Sequence, residues 1–344
     1  MKALVLEKDK VLRYREFPLP EKRYKNSYLI KVIAAGICGS DLHRAFGGGA
    51  YHYPLIMGHE FSGEIKEAFK GAKFNEGDRV TAFPLIPCKE CTSCQTGEYA
   101  QCNSYDYLGS RSNGAYAQYI YVPEENLFLV PEHIDMLHAA LTEPAAVALH
   151  GVKKLNIFPG SMGVVYGGGF IGNIIAQWMR IRGARDVIVV DVDDKKLKIS
   201  EDMGFIPFDS RGEDPVDAIL SYTNKSGADY AVEACGLPIT FLQSIKSVRN
   251  FGEVVFMGNI AGTFKIGEKD FSNILRKEIK IYGTWNSKII PRGKDDWSIV
   301  LKYMDRELQV APLISHLPRL NEGKEVFDRL DNKEEFFNRV VFTI

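Results

Sequence analysis

The sequence predicts an α/β chain of two domains: an irregular antiparallel β domain into which a doubly wound parallel-sheet domain is inserted. Three observations carry this. The 344 residues exceed the ~100–200 of a typical domain. Strand-like and helix-like segments alternate between residues 161 and 283, the rhythm of a parallel sheet. On both sides of that stretch the texture turns irregular, with many Gly, Pro and Tyr residues and short β-type runs. The expected division is an outer domain of residues 1–148 and 286–344 around an inserted domain of 149–285.

Taken in order, residues 28–34, 79–83 and 117–122 read as strands of the outer domain, because β-branched and aromatic residues lie between turn formers. Near Ser161 the period changes. Residues 163–166 form a short buried strand, 171–182 an amphipathic helix, 187–190 a second strand and 195–203 a charged helix. Residues 230–233 and 252–257 are strands around a helix at 240–248, and 279–282 is the last strand. A helix at 297–304 and a β-like 339–343 close the outer domain. No repeat or low-complexity segment interrupts this order.

Composition narrows the function classes. With 43 basic and 44 acidic residues the net charge is -1, which gives no electrostatic reason for nucleic acid or an anionic membrane as partner. The N-terminal apolar run is too short for a signal peptide and is crowded by charge, and no stretch reaches the ~20 apolar residues of a membrane span. The expectation is a cytoplasmic protein whose six cysteines are thiols or metal ligands rather than disulfides.

Gly167-Gly168-Gly169-Phe170-Ile171-Gly172 matches G-x-G-x-x-G. Alone the pattern is common turn chemistry. Here it follows an apolar strand and opens an amphipathic helix, so the backbone can approach a pyrophosphate that the helix N-terminus attracts. Asp191 ends the next strand, 19 residues after Gly172. A carboxylate there accepts from the adenosine ribose hydroxyls and repels a 2′-phosphate, so NAD is the expected cofactor, although Lys195 and Lys196 lie nearby. The bland reading makes the glycines a tight turn and Asp191 a helix cap. Cys235 follows a later strand beside the expected nicotinamide; its simplest reading is a small buried residue. Met257 and Gly258 would line the cofactor through backbone groups.

Cys88-x2-Cys91-x2-Cys94-x7-Cys102 is the most specific local signal. Such gaps let one loop wrap four thiolates around a tetrahedral ion, with Zn–S of about 2.3 Å. Four sulfurs close the shell, so this is a structural zinc, without which the polar loop could not fold compactly. Two disulfides between cysteines three apart would be poorly shaped.

A second, open metal site is suggested by Cys38 and His59, with Glu60 or Glu143 competing to supply the carboxylate. Three protein ligands would leave one position for water or substrate oxygen. On spacing alone, a buried Cys, a satisfied His and an N-terminal helix acid remain equally open readings.

Cys38-Gly-Ser-Asp41, Gly58-His-Glu-Phe-Ser-Gly63, the four-cysteine loop, Glu76-Gly-Asp-Arg-Val80 and the glycine fingerprint stand in the order found in zinc-containing medium-chain dehydrogenases, and the chain resembles that family along its whole length. Among them it is most similar to the polyol dehydrogenases, by His52 to Gly63, Tyr105 to Arg111, Ile274 to Glu278 and Gly283 to Trp285. The resemblance implies a GroES-like catalytic domain and a Rossmann domain, two zinc ions per chain, NAD, and a homodimer or homotetramer joined through the nucleotide domains. It implies Cys38, His59 and Glu143 as catalytic-zinc residues and Glu60 as a direct or alternating ligand. Ser40 becomes the hydroxyl nearest the substrate oxygen, and His43 an outer proton acceptor. Phe69 stands where the family usually has glycine, an altered turn away from the metal.

The implied substrate is a sugar alcohol or its phosphate, galactitol 1-phosphate ahead of sorbitol, with threonine and butanediol behind. Phe46, Tyr51, His52, Arg111, Trp285 and Asn286 are candidate pocket residues, and Arg44, Arg111 and Lys288 candidate phosphate holders. The rivals are a zinc-free quinone reductase and a non-catalytic dinucleotide-binding protein on the same fold. Both are disfavoured by Cys38, His59, Glu60 and Glu143.

Overall fold

The computed structural model describes residues 1–289 and 295–344. They fall into two compact units, 1–146 with 287–344, and 147–286.

In the first unit a six-stranded antiparallel sheet runs in the order Leu127–Leu129, Arg79–Ala82, Glu60–Glu67, Ser27–Gly36, Val341–Thr343, and Tyr119–Pro123 also pairs with Ser27–Gly36. Ser27–Gly36 is the central strand and is buried over most of its length, as a strand covered on both faces must be. A three-stranded sheet built on the hairpin Lys2–Lys8 and Val11–Glu16 completes the shell. Its core joins Leu4, Leu6, Tyr28, Ile30, Phe61, Tyr116, Phe327 and Phe342. Two features fix the site. Gly36 pairs with both Glu60 and Val341, so three strand ends converge there. The helix Gly39–Phe46 then starts directly, with Cys38 as its N-cap.

The second unit is a six-stranded parallel sheet, in the spatial order Ile206–Asp209, Asp186–Asp191, Met162–Tyr166, Ala228–Glu233, Val248–Phe256, Lys280–Gly283. The order reverses direction between Met162–Tyr166 and Ala228–Glu233, the switch point at which a doubly wound sheet opens its ligand crevice. The strands are continuous apolar runs such as Gly163-Val-Val-Tyr166 and Val187-Ile-Val-Val190, because helices cover both faces. The strand Ile206–Asp209 and the helix Pro215–Tyr222 are elements that the periodicity did not announce.

Candidate metal centres and dinucleotide site

The Cys38 sulfur, an imidazole nitrogen of His59 and a carboxylate oxygen of Glu60 lie within 4.8 Å of one another. Strand pairing brings them there. Cys38 follows the end of Ser27–Gly36, and Glu60, directly after His59, opens the strand opposite. A Cβ at Gly36 would collide with the Glu60 carboxylate, so this position has to be glycine for Glu60 to turn inward.

The donors are buried and partly unpaired. Glu60 is fully buried; its Oε2 pairs with the Arg339 guanidinium, while Oε1 has no hydrogen-bond partner among the described residues. A buried orphan oxygen costs ~1–3 kcal/mol, which a cation beside it would relieve. A soft thiolate, an imidazole and a carboxylate suit zinc. The residues therefore fit the ion.

Asp41, also fully buried, organises the surroundings. Its Oδ2 accepts from Tyr116 Oη at 2.8 Å and from the Cys38 amide at 3.2 Å. Its Oδ1 accepts from Arg44 Nη1 at 3.0 Å and stands 3.5 Å from His59 Nδ1. Burial pushes the Asp41 carboxyl up, but His59, Arg44 and Tyr116 together hold it below the usual range. Burial pushes the His59 imidazole down, and Asp41 with Cys38 holds it well above its ordinary value. A carboxylate facing Nδ1 leaves Nε2 as the ligand nitrogen.

Glu143 opens the helix Thr142–Val152 and stands outside the cluster of Cys38, His59 and Glu60. Tyr107 donates to its Oε1 at 3.3 Å, and the Tyr107 ring lies 5.7 Å from that of His59. Burial, with Glu60 adding to it, pushes the Glu143 carboxyl up to about 7.

Other expected residues are placed variously. Ser40 lies in the first turn after Cys38, its Oγ accepting from Arg44 Nη1 at 2.9 Å. His43 is exposed, its ring resting on Gly47 and Gly49. Phe46 is half-buried against Phe327, 6.4 Å between centroids, so it packs on the core rather than lining a pocket. Arg111 lies between the rings of Tyr51 and Tyr105, at 5.1 and 4.0 Å, and donates to the Tyr105 carbonyl at 3.0 Å. Two of the three candidate phosphate holders are committed elsewhere: Lys288 pairs with Glu98, and Arg44 with Asp41. Trp285, 59% exposed, and Asn286 belong to the second unit.

The thiols of Cys88, Cys91, Cys94 and Cys102 also lie within 4.8 Å of one another, and all are free of disulfides. Backbone amides point at the sulfurs: Cys88 N and Ser104 N at Cys102 Sγ, 3.3 and 3.4 Å, and Cys91 N at Cys88 Sγ, 3.5 Å. Amides of Asn103 and Cys94 hold the Cys91 thiol down to about 6. Burial and the neighbouring sulfurs push the Cys94 thiol the other way, up to about 12, so four thiolates are stable together here only around a cation.

In the second unit Gly167 has φ +111°, which favours glycine, and a Cβ on Gly172 would strike the Gly167 carbonyl. Gly169 caps the helix Phe170–Ile181 without a side-chain bond, and the N-terminus of a helix is where its N–H groups and dipole attract a phosphate. Phe170 is buried, so it offers the cofactor only its backbone; Ile171 beside it is half-buried. Asp191 Oδ2 accepts from Gly168 N at 2.7 Å. The helix cap is Asp193, not Asp191.

Cys235 departs from expectation. It is exposed, not buried. Its sulfur faces Gly167, and desolvation with Glu233 nearby pushes the thiol up to about 12. Glu233, unremarked in the sequence, organises this end of the sheet: Oε1 accepts from Cys235 N, Gly236 N and Thr240 Oγ1 at 2.9, 2.8 and 2.6 Å. Its backbone carbonyl accepts from Met257 N and Gly258 N.

Both units of the chain resemble known proteins. Residues 24–132 match the alcohol dehydrogenase GroES-like domain and residues 171–306 the zinc-binding dehydrogenase domain. Galactitol 1-phosphate 5-dehydrogenase of Escherichia coli is 30% identical over 92% of each chain, and the E. coli crystal structure superposes with a TM-score of 0.92 at 28% identity over all of both chains. Sorbitol dehydrogenase of Bacillus subtilis is 33% identical over 75% of each chain. A putative zinc-binding dehydrogenase of Sinorhizobium meliloti, solved bound to NADP, has a TM-score of 0.90 and 29% identity over 100% of this chain and 99% of that one.

Proposed function

This chain belongs to the zinc-binding alcohol dehydrogenase family and is an oxidoreductase, and from that premise we propose that it oxidises a secondary hydroxyl of a sugar alcohol or sugar-alcohol phosphate, galactitol 1-phosphate first among them, with NAD accepting the hydride. The observation that carries the proposal is the buried trio Cys38, His59 and Glu60 with its unpaired Glu60 Oε1. The likeness to galactitol 1-phosphate and sorbitol dehydrogenases supplies the substrate class.

Cys38, His59 and Glu60 would hold a zinc ion, which would supply Lewis acidity to an alcohol oxygen, as zinc lowers the pKa of water toward ~7. The side chains around it do the rest. Asp41 holds the His59 ring and the Cys38 amide in place. Arg339 takes one Glu60 oxygen and leaves the other free. Ser40 is the hydroxyl through which the alcohol proton leaves, and His43, exposed on the same helix, hands it to solvent. Glu143, hydrogen-bonded by Tyr107, adds a second carboxyl beside the trio. Arg111 is the cation proposed for a substrate phosphate, since Arg44 and Lys288 are ion-paired. Asp191 favours NAD over NADP. A homo-oligomer joined through the nucleotide units is part of the same proposal, because Ile281 on the edge strand Lys280–Gly283 and Phe271 and Leu275 on the helix Glu268–Arg276 before it are exposed.

The test follows NADH absorbance over galactitol 1-phosphate, sorbitol, xylitol, threonine and butanediol, with NAD and with NADP. Polyol turnover that Cys38→Ser abolishes, with NAD binding retained, is the expected result. Turnover of none of the polyols, or wild-type kcat in Cys38→Ser, defeats the proposal.

A further inference from the structure

The helix Gly39–Phe46 carries a cation that the proposed chemistry has not yet used. Arg44 sits four residues after Ser40 and three after Asp41, so all three share one helix face. A single guanidinium nitrogen, Nη1, donates to both: 2.9 Å to Ser40 Oγ and 3.0 Å to Asp41 Oδ1. The Arg44 side chain is 13% exposed and Asp41 is fully buried. Asp41 is itself fixed by Tyr116 and the Cys38 amide. The ion pair with a buried carboxylate therefore holds the guanidinium beside Ser40.

A serine hydroxyl has one hydrogen and two acceptor positions, and left alone it rotates. Arg44 fills one acceptor position from a fixed direction. The other acceptor position and the hydroxyl hydrogen are then restricted to the remaining directions, which is what a relay requires: it accepts on one side and donates on another. We infer that Arg44 is a positioning residue for the proton path, holding the Ser40 hydroxyl in its receiving orientation. The inference rests on the reading of Ser40 given above. In the step, the O–H bond of the alcohol breaks and its proton goes to Ser40 Oγ. The hydrogen already on Oγ leaves toward His43, exposed on the same helix, and from there to solvent, and the carbinol hydride goes to the dinucleotide. Ser40 ends as it began. Because a cation opposes a second proton on Oγ, the hydroxyl hydrogen leaves as the alcohol proton arrives, and the charge-assisted bond from Arg44, about twice as strong as a neutral one, favours the partial negative charge this puts on the oxygen.

The test uses the zinc-loaded full chain and compares Arg44→Gln, Arg44→Lys, Ser40→Ala and the double variant Arg44→Gln/Ser40→Ala in polyol oxidation. Arg44→Gln should lower kcat roughly ten- to hundredfold, the size of one hydrogen bond to a charged group. KM for the alcohol, NADH affinity by fluorescence and two zinc ions per chain should be kept. Arg44→Lys should retain part of kcat, and millimolar guanidinium should restore part of it to Arg44→Gln but none to Ser40→Ala. In the double variant kcat should fall no further than in Ser40→Ala. Three results overturn the inference: wild-type kcat in Arg44→Gln, a double variant lower by the product of the single losses, or loss of one zinc in Arg44→Gln, which would place its role in orienting His59 through Asp41. Wild-type kcat in Ser40→Ala would overturn the underlying relay, a failure distinct from the others.

Discussion

Replacing Arg339 by Met tests the ion pair behind the metal ligands. Arg339 and Glu60 are 279 residues apart, and their side chains are 8% and 0% exposed, so solvent screens neither. The desolvation penalty of both charges is already met in the folded protein. Removing the guanidinium leaves the Glu60 carboxylate with the ion at Cys38 and His59 as its counter-charge; the full cost of a broken buried pair, about 3–5 kcal/mol, is then the upper bound. At ~2–4 °C per kcal/mol for a domain of this size, Tm should fall by at most roughly 6–20 °C. Urea unfolding at saturating zinc gives the same quantity as a lower midpoint at unchanged slope. Glu60→Met, which removes the anion that Arg339 faces, should cost a similar amount. The double variant, with two apolar side chains of similar volume, should cost well under the sum. Arg339→Met within about 1 kcal/mol of the wild type, or strict additivity in the double variant, would refute this account of the pair.

Three further outcomes follow from the same geometry. Cys91→Ser should lower zinc from two ions to one per chain by metal analysis and lower thermal stability, while NADH binding survives, because the four-thiol loop closes on its own ion. Gly172→Ala should weaken NADH binding at least tenfold by fluorescence titration, since the added methyl meets the Gly167 carbonyl of the phosphate loop; unchanged affinity would count against that loop as the pyrophosphate site. Cys235 should resist alkylation despite its exposure: with the thiol pushed up to about 12, its reactive thiolate is scarce at pH 8 and rises about tenfold per pH unit until that value is passed. Mass mapping after iodoacetamide at pH 7, 8 and 9 reads this directly, and fast labelling at pH 7 would contradict it.

How much of this was legible in the sequence depends on how far apart the interacting groups lie along the chain. The dinucleotide loop is a local signal: a strand, three glycines and a helix within about twenty residues, each required by its neighbours. The four-thiol loop is equally local. The strand Ile206–Asp209 escaped notice because Pro207 interrupts its pattern. The structure shows why the proline is tolerated: this strand lies at the sheet edge, with one ladder only, where a missing N–H costs little. The partners of the metal ligands were hidden for another reason. Arg339 reaches Glu60 only because Gly36 pairs with Glu60 on one side and Val341 on the other, and no short-range pattern encodes that register. Tyr116 reaches Asp41 across 75 residues in the same way. Arg44 is the instructive exception. Its spacing to Ser40 and Asp41 is helical and could be read directly, yet a lone arginine near a substrate suggests a phosphate. What decides its role is the full burial of Asp41, a tertiary fact: a buried carboxylate needs a cation, and once Arg44 serves it, the same nitrogen is left facing Ser40.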